Sequence, residues 1–421
     1  MKVLVIGGGG REHALTWGLH KSSLVHEIWT SSKNAGICQL AKCTNIEDAG
    51  VKALADWAEA EGIDLTVVGP EAQLSVGIVD EFQSRGLAIF GPRKAAARLE
   101  WSKAFAKELM ARHNIPTARF ALCNNAATAL GKARSFGLPV VIKADGLAAG
   151  KGVSVCFSWP EVESAIDRIM QEKVFGEAGE WVVVEEFLTG EEASVHAIAT
   201  GTDYLLLPAA QDHKTVFEGD KGANTGGMGS YSPAPVANAA IMDDVTRKII
   251  RPTLEAMAAE GDAFTGALYV GLMINETGPK VVEYNCRFGD PETQALIPRL
   301  ESDLAEVLLA AAKGDISQTK LRWSDEAAVC VVLASQGYPG NYDVGIPITG
   351  VQEAESLPGV IVFHAGTAWR NNTLVTAGGR VMGVTALGNS IAAARNEAYA
   401  AVERINFAGM HYRRDIAHRA L

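Results

Sequence analysis

The sequence predicts a mixed α/β and α+β protein built from three consecutive parts. Over residues 1–100, strand and helix patterns alternate and the strands end in Gly or Pro, which is typical of a doubly wound parallel α/β domain. From about Ala95 the pattern changes, and residues 101–325 predict an α+β domain, in which the part over about 117–188 carries a glycine-rich flap. Residues 326–421 predict a small C-terminal α+β domain.

Each element of the first part is indicated by its own stretch of sequence. The strands are KVLVIG, HEIWT, LTVVGP and LAIFGP, and the helices between them are REHALTWGLH, VKALADWAEAEG and VDEFQSRG. Short apolar, β-branched runs bounded by turn residues favour strands, and longer runs with spaced apolar residues favour helices.

The remaining parts are interpreted in the same way. Helices are predicted in ARLEWSKAFAKELMARHN, EVESAIDRIMQE, DDVTRKIIRPTLEAMAAEG, ETQALIPRL and SIAAARNEAYAAVERI. Strands are predicted in LPVVIKAD, GVSVCF, EWVVVEEFL, ASVHAIAT, YLLLPAAQ, AAVCVVLAS, VIVFHAG and VMGVTALG, with ALYVGLMI and KVVEYNC as a hairpin. The segment DHKTVFEGDKGANTGGMGSYSPAP has no periodicity, and ordered loops of this length are usually functional. We expect the 143–153 loop and the 214–230 loop to be mobile without ligand.

Composition narrows the function classes. With 38 basic and 49 acidic residues the net charge is −11, and no run of Lys or Arg offers the basic stripe that nucleic-acid binding requires. No stretch has the apolar length of a membrane span, and the N-terminus leads directly into a strand rather than a signal peptide. The six scattered cysteines are expected to be buried free thiols of a cytoplasmic protein.

The segment 141-VIKADGLAAGKGVSVCF-157 places Lys143 and Lys151 on either side of a run of Gly and Ala. A Walker A loop needs Gly at position 145, Ser or Thr at position 152 and a helix afterwards. Here Asp145 and Gly152 occupy those positions and a strand follows. We therefore expect a flap across a β-hairpin whose backbone N–H groups and Lys151 fold down on phosphates, since an ordinary turn needs neither this length nor two lysines.

A second glycine cluster, 7-GGGGREHAL-15, follows the first strand. A dinucleotide fingerprint would need a third glycine where Glu12 or His13 stands, and an acidic residue where the second strand ends in Thr30 and Ser31. NAD binding is therefore not expected. The loop still presents backbone donors at a helix N-terminus, which suits an anionic substrate.

The third cluster is 281-VVEYNCRFGDPETQ-294. In a strand, Glu283 and Asn285 point to the same face, and their oxygens are hard ligands suited to Mg²⁺. Arg287 falls on that face too if the strand continues, where its fork can hold a carboxylate or phosphate. The alternative interpretation is a solvated strand edge with a surface ion pair.

A fourth segment, 183-VVEEFLTGEEAS-194, can act as a hinge beside a nucleotide. Glu185, Glu186, Phe187 and Leu188 would present backbone groups to an adenine edge, and Glu192 could accept hydrogen bonds from ribose hydroxyls. Taken alone, the segment indicates only a strand and a turn.

Together these segments resemble the ATP-grasp enzymes, and more specifically the phosphoribosylamine–glycine ligase family. The resemblance extends over the whole chain and rests on GGGGREHAL, GPRKAAARLEWSKAFAK, KADGLAAGKGV, EEFLTGEEAS, QDHK, GDKGANTGGMGSYSP, EYNCRFGDPETQ and YRRDIAHRAL. It departs from the family pattern at the loop positions Thr215, Ala223 and Ser230. The resemblance implies an ATP-grasp clamp of two α+β lobes and ligation of glycine to 5-phosphoribosylamine through glycyl phosphate, with release of ADP and phosphate.

The resemblance also implies roles at the nucleotide end. Residues expected at the ATP phosphates, the adenine and the ribose are Lys103, Lys143, Gly150, Lys151, Gly152, Glu185, Glu186, Phe187, Leu188 and Glu192. Glu283 and Asn285 are expected to hold Mg²⁺ or Mn²⁺. Many ATP-grasp enzymes carry a further acidic ligand on the preceding strand, but Gly271 stands there, so these two residues and phosphate oxygens carry the metal.

At the substrate end, the phosphoribosyl group is expected between the N-terminal domain and the clamp, at Gly10, Arg11, Glu12, Glu71 and Arg287. Candidates for the glycine end are Asp212, Lys214 and Asp290, which with Arg287 make up the expected catalytic group. The partners are then small molecules only, and the protein is expected to be a monomer. The alternatives are another ATP-grasp carboxylate–amine ligase, an NAD-dependent oxidoreductase and a non-catalytic nucleotide-binding regulator.

Overall fold

The N-terminal part forms a parallel five-stranded sheet with helices around it, as the alternating pattern predicted. The computed structural model describes residues 1–44, 46, 50–146, 152–174 and 179–421. The strands are β1 (Lys2–Ile6), β2 (Glu27–Thr30), β3 (Lys42–Cys43), β4 (Leu65–Val68) and β5 (Ile89–Phe90), in the order β3-β2-β1-β4-β5. The helices are α1 (Gly10–His20), α2 (Ile37–Leu40), α3 (Gly50–Glu61), α4 (Glu71–Ser75), α5 (Ile78–Ser84) and α6 (Arg98–Trp101).

The strand order places the loops after β1 and β4 next to each other. Ile6 pairs with Val68 at the carboxyl ends of these two central strands, and from β1 the chain proceeds outward on one side to β2 and on the other to β4. Such a switch point leaves a crevice at the carboxyl edge of the sheet where ligands bind. The Gly7–Gly10 loop and Glu71 therefore lie at one edge, although 60 residues separate them in sequence.

The first lobe of the middle part is an antiparallel sheet backed by two helices. In chain order it contains α7 (Lys103–Arg112), β6 (Phe120–Cys123), α8 (Ala126–Phe136), β7 (Val140–Ala144), β8 (Val153–Cys156), α9 (Trp159–Met170) and β9 (Val182–Glu186), with sheet order β6-β9-β7-β8. The single helix predicted for ARLEWSKAFAKELMARHN is wrong in one respect. The chain leaves the helical conformation at Ser102, whose hydroxyl then caps α7 by accepting the Phe105 N–H at 3.1 Å.

The second lobe is built on the predicted hairpin. Its elements are β10 (Glu191–Thr200), β11 (Asp203–Leu206), β12 (Gln211–Asp212), β13 (Thr215–Phe217), β14 (Lys221–Asn224), β15 (Gly229–Ser232), α10 (Ala239–Val245), α11 (Arg251–Ala259), β16 (Thr265–Asn275), β17 (Gly278–Asn285), α12 (Glu292–Leu296) and α13 (Leu304–Ala312). A π-helical turn, Thr246–Ile250, joins α10 to α11, and a 3₁₀ turn, Ile297–Arg299, follows α12. The antiparallel sheet has the order β11-β10-β16-β17.

The C-terminal part contributes β18 (Ala327–Ala334), α14 (Val351–Glu355), β19 (Val360–His364), β20 (Thr367–Arg370), β21 (Thr373–Thr376), β22 (Arg380–Gly388), α15 (Ile391–Val402) and a closing 3₁₀ turn, His418–Ala420. Its sheet has the order β12-β15-β18-β22-β19, so two strands of the middle part belong to it. The segment predicted to be an aperiodic loop contains β15 and the hairpin β13–β14. The pattern did not indicate β15 because its pairing partner, β18, lies about a hundred residues away.

The cysteine prediction is correct for four of the six residues. Cys123, Cys156, Cys286 and Cys330 are buried free thiols. Cys38 and Cys43 instead form a disulfide that ties α2 to β3. Among the described residues, no helix is both long enough and apolar enough to cross a membrane.

Candidate active site

The loop after β1 supplies backbone donors at the start of α1. Glu12 occupies the space beside it: its carboxylate accepts the Gly9 N–H at 2.6 Å and pairs with Arg11 Nε at 2.5 Å. Gly10 and the side chains of Arg11 and Glu12 are all buried. Glu12 therefore holds the loop in shape, and it leaves Gly69 no room for a side chain.

The side chain of Arg287 links the second lobe to the N-terminal part. Its guanidinium lies 3.3 Å from Glu71 Oε2 and 3.2 Å from Glu100 Oε1, and it donates to Asn285 Oδ1 at 3.0 Å. Arg11 reaches the same place, donating to the Phe288 carbonyl at 3.2 Å. The structure thus brings Arg11, Glu71 and Arg287 together, although β17 ends at Asn285 and Arg287 follows it in a bend rather than in the strand.

Sequence reasoning missed Glu100, which is buried between these groups. It accepts the Cys286 N–H at 2.8 Å as well as the Arg287 ion pair. Burial raises the pKa of Glu100, whereas burial of Glu71 is outweighed by Arg287 and Arg11, so that the pKa of Glu71 is lowered. The only signal was that Glu100 belongs to the motif GPRKAAARLEWSKAFAK.

The two described lysines that are predicted to contact the ATP phosphates are Lys103, at the start of α7, and Lys143, on β7. Lys103 Nζ donates to the Gly146 carbonyl at 3.2 Å, and Lys143 Nζ donates to the Val282 carbonyl at 3.2 Å. Burial, and then the charge of Lys143, lowers the pKa of Lys103. Gly152 is buried, and its carbonyl accepts the Ala144 N–H at 2.8 Å, whereas Gly150 and Lys151 lie outside the described residues.

In the segment predicted to border the adenine, one backbone N–H group already has a hydrogen-bond partner. The Glu186 N–H donates to the Arg119 carbonyl at 3.0 Å, so this group is already engaged within the sheet. The Glu186 carboxylate accepts Arg119 Nε at 2.6 Å, and Glu185 is buried in ion pairs. Phe187 packs edge to face on Phe157 at 6.0 Å between ring centres, and Leu188 is half-buried beyond it.

The metal candidates lie on β17. Glu283 pairs in register with Gly271 of β16, the position without a second acid, and a side chain at Gly271 would crowd the Glu283 side chain. Asn285 Nδ2 is buried and has no hydrogen-bond partner within the part of the chain that the structure describes. Among the described residues there is no group of three or more His, Cys, Asp or Glu side chains arranged for a metal. One carboxylate and one amide fit an ion that takes its remaining ligands from phosphate and water, as Mg²⁺ does.

Lys214 lies close to both a nucleotide candidate, Glu192, and a metal candidate, Glu283. Its Nζ is 2.8 Å from Glu192 Oε2 and 3.9 Å from Glu283 Oε1. Burial opposes its charge, but Glu192, Asp212 and Glu283 together raise the pKa of Lys214 well above its usual range. Burial, reinforced by Glu292 and other carboxylates, raises the pKa of Asp212 to about 7.

Asp290 lies at the N-terminus of α1, beside Gly9. It pairs with Arg380 at 3.0 Å and accepts Gln294 Nε2 at 2.8 Å. Arg380 comes from β22 of the C-terminal part, and it also donates to the Gly226 carbonyl at 2.5 Å. Sequence reasoning missed Arg380, since nothing in VMGVTALG indicates that this strand approaches Asp290.

Comparison with known proteins gives concordant matches along the chain. Family models described as the phosphoribosylglycinamide synthetase N domain, ATP-grasp (A) domain and C domain match residues 1–100, 101–293 and 328–419. A curated relative called phosphoribosylamine–glycine ligase from Vibrio cholerae is 50% identical, covering 100% of this chain and 99% of that protein. Another of the same name, from Caldanaerobacter subterraneus, is 47% identical and covers 99% of each chain.

Superposition on solved structures agrees with these sequence matches. The phosphoribosylamine–glycine ligase of Thermotoga maritima superimposes with a TM-score of 0.86 at 34% identity, covering 99% of this chain and 100% of that one. The biotin carboxylase of Campylobacter jejuni, solved with an ATP analogue, has a TM-score of 0.75 at 14% identity, covering 98% of this chain and 92% of that one. The second likeness shows a shared fold alone.

Proposed function

This chain belongs to the phosphoribosylamine–glycine ligase family of ATP-grasp enzymes, and from that membership we propose which of its residues perform the reaction. The enzyme joins glycine to 5-phosphoribosylamine at the expense of ATP and releases glycinamide ribonucleotide, ADP and phosphate, a step of purine biosynthesis. The observation that carries the assignment of roles is the position of Arg287, between the acids of the N-terminal part and the metal candidates on β17.

The first step activates glycine. A carboxylate is a poor electrophile, and transfer of the γ-phosphoryl group to it gives a mixed anhydride, glycyl phosphate, whose phosphate is a good leaving group. The residues contribute position and charge neutralisation rather than a nucleophile. Lys103, Lys143 and, in the flap, Lys151 hold the ATP phosphates, assisted by backbone N–H groups at Gly150 and Gly152.

The rest of the nucleotide lies along the hinge. Glu185, Glu186, Phe187 and Leu188 border the adenine, and Glu192 receives the ribose hydroxyls. Glu283 and Asn285 would hold Mg²⁺ or Mn²⁺, which supplies Lewis-acid neutralisation of phosphoryl charge when bound. The family's use of ATP with a divalent metal supports this assignment.

The second step joins the two substrates. Gly10, Arg11, Glu12 and Glu71 bind the phosphoribosyl group in the crevice after β1 and β4, so the amine faces the clamp. The amine nitrogen attacks the carbonyl carbon of glycyl phosphate, the C–O bond to phosphate breaks, and the nitrogen loses a proton. Arg287 neutralises the departing phosphate at the boundary between the two sites.

The glycine end combines three acidic or basic side chains. Lys214, already close to Glu283, neutralises the glycine carboxylate as it approaches the γ-phosphate. Asp212 and Asp290 are proposed to hold the glycine ammonium or the incoming amine. Glycyl phosphate is labile in water, so exclusion of solvent from this position is part of the function.

The whole chain is proposed to act as a three-domain monomer in the cytoplasm, with divisions at 1–100, 101–325 and 326–421. Its partners are the small substrates alone, without nucleic acid or membrane. The acidic net charge of −11 supports the absence of nucleic acid.

The decisive experiment measures ADP release from Mg·ATP with freshly made phosphoribosylamine, with glycine present, absent, or replaced by other small carboxylic acids. ADP formation that requires both substrates and strongly prefers glycine is the expected outcome. Release with a different acid would keep the clamp chemistry and overturn the substrate assignment.

A further inference from the structure

Lys107 has no role in the reaction as assigned so far, yet its ammonium is buried beside the nucleotide site. It lies on α7, one helical turn after Lys103, with a side chain only 3% exposed. Its Nζ is 2.9 Å from Glu185 Oε2 and donates to Thr117 Oγ1 at 2.7 Å. Burying a lysine costs free energy, and the ion pair and the hydrogen bond offset that cost.

The partner of Lys107 is shared with a phosphate lysine. Glu185 Oε1 is 2.9 Å from Lys143 Nζ, so each oxygen of this one carboxylate faces one ammonium. Lys143 Nζ also donates to the Val282 carbonyl at 3.2 Å, so its ammonium is held between Glu185 and β17.

The same group of side chains spans the two lobes. Thr117 Oγ1 donates to the Val281 carbonyl at 2.7 Å, and Lys143 donates to the neighbouring Val282 carbonyl. These two carbonyls belong to β17, directly before Glu283. The contacts therefore form a closed path that starts and ends at β17 and passes through Thr117, Lys107, Glu185 and Lys143. This path links the phosphate lysine, Lys143, to the strand that carries the metal candidates.

We propose that Lys107 is a positioning residue for Lys143. By occupying one oxygen of Glu185, it prevents that carboxylate from neutralising Lys143 alone, and it fixes where the Lys143 ammonium lies relative to β17. Lys143 then retains enough positive charge and freedom of direction to bind ATP phosphates. The inference rests on the proposed function in one respect, since it takes Lys143 to contact those phosphates.

The test compares two substitutions on the same helix. Lys107→Met removes the charge and keeps the packing of the side chain. Arg112→Met is the matched control, because Arg112 is exposed at the other end of α7 and pairs with Glu260 at 2.8 Å instead of Glu185. Binding of a non-hydrolysable ATP analogue with Mg²⁺ is measured by calorimetry. We expect Lys107→Met to weaken binding about tenfold, as expected for removing one charged neighbour, and Arg112→Met to leave it unchanged.

A second substitution separates positioning from a loss of packing. If Lys107 acts by restraining Glu185, then the double variant with Glu185→Gln loses the carboxylate that captures Lys143. Its affinity should match that of Glu185→Gln alone within about threefold, a clear departure from additivity. Additive losses, or a Lys107→Met affinity equal to that of the control, would overturn the proposal.

An alternative variant and the choice of a binding assay keep the result interpretable. Should Lys107→Met fail to fold by circular dichroism, Thr117→Val removes the other partner of Lys107, and an unchanged affinity in that variant would equally overturn the proposal. Binding is measured without glycine or amine, so it does not depend on ligation. A wild-type enzyme that binds nucleotide but does not ligate glycine would refute the proposed function and leave the Lys107 comparison intact.

Discussion

Glu283 and Asn285 owe their common direction to the two-residue repeat of β17. The side chains of alternate residues point to one face of a strand, and Gly271 opposite Glu283 keeps that face open. Lys214 lies 3.9 Å from Glu283 and supplies part of the positive charge that a bound cation would supply. If Glu283 holds the metal as proposed, it would exchange one cationic neighbour for another when the metal binds.

This residue gives the first prediction. Glu283→Gln keeps the shape and removes the charge, so the metal concentration for half-maximal ADP release should rise about tenfold or more. Glu276→Gln is the control, because Glu276 is exposed in the turn between β16 and β17. Titration of activity with Mg²⁺ at saturating ATP provides the measurement. An unchanged metal dependence in Glu283→Gln would remove Glu283 from the metal site.

At the scale of elements, the C-terminal motif YRRDIAHRAL holds the segment that carries Lys214. Arg413, fully buried, donates to Thr215 Oγ1 at 2.8 Å and pairs with Asp220 at 3.1 Å and Asp415 at 2.7 Å. The Ala417 N–H donates to His213 Nε2 at 2.9 Å. Thr215 thus has a defined partner, and the C-terminal tail determines where the β13–β14 hairpin lies.

Removal of that anchor is the second prediction. Arg413→Met should lower the free energy of unfolding by about 3 kcal/mol, because it removes the fully buried cation that pairs with Asp415 and one of the two arginines that pair with Asp220. ADP release should fall as well, since Lys214 precedes the hairpin directly. Arg414→Met, at the neighbouring exposed position, should leave the urea midpoint of unfolding unchanged. If both variants unfold at the same urea concentration, the tail does not anchor the hairpin.

At the scale of the whole molecule, the site is assembled from all three parts, and this limits what sequence reasoning reaches. Glu283 and Asn285 were placed on one face correctly because the strand period is local. Glu100 and Arg380 were missed because their partners, Arg287 and Asp290, lie 187 and 90 residues away. The segment that leads to Lys214 is held beside β10 by the bridge between Ala210 and Ser194, which no local pattern indicates, and Lys214 pairs there with Glu192.

The junction between the N-terminal and C-terminal parts contains a buried pair of histidines. The ring centres of His13 on α1 and His364 on β19 lie 5.6 Å apart, and His13 Nδ1 accepts the His364 backbone N–H at 2.7 Å. Asn34 adds to this junction, donating to the Gly8 and His364 carbonyls at 2.8 Å each. Burial, together with the charge of His364, lowers the pKa of His13 to about 3, and burial lowers that of His364 to about 4.

This junction should make the enzyme sensitive to acid. A group whose pKa is depressed on folding gives its full stability above its unfolded pKa, near 6.5 for histidine, and loses it as the pH falls toward the folded value of about 3. Each such histidine therefore contributes a loss of up to about 1.4 kcal/mol per pH unit in that window. His13 cannot gain a proton at Nδ1 without giving up the bond from His364.

The third prediction follows from the sign of this linkage. Between about pH 6.5 and about pH 5, the melting temperature of His13→Gln should decline less steeply than that of the wild type, because one fewer group gains a proton on unfolding. His20→Gln is the matched control, since His20 lies at the exposed end of the same helix, and its slope should equal that of the wild type. The slope, rather than the melting temperature itself, is the informative quantity, because any substitution at the buried junction lowers stability at every pH. Equal slopes for all three proteins would place the acid sensitivity elsewhere, with the buried His196 and His213 as the next groups to replace.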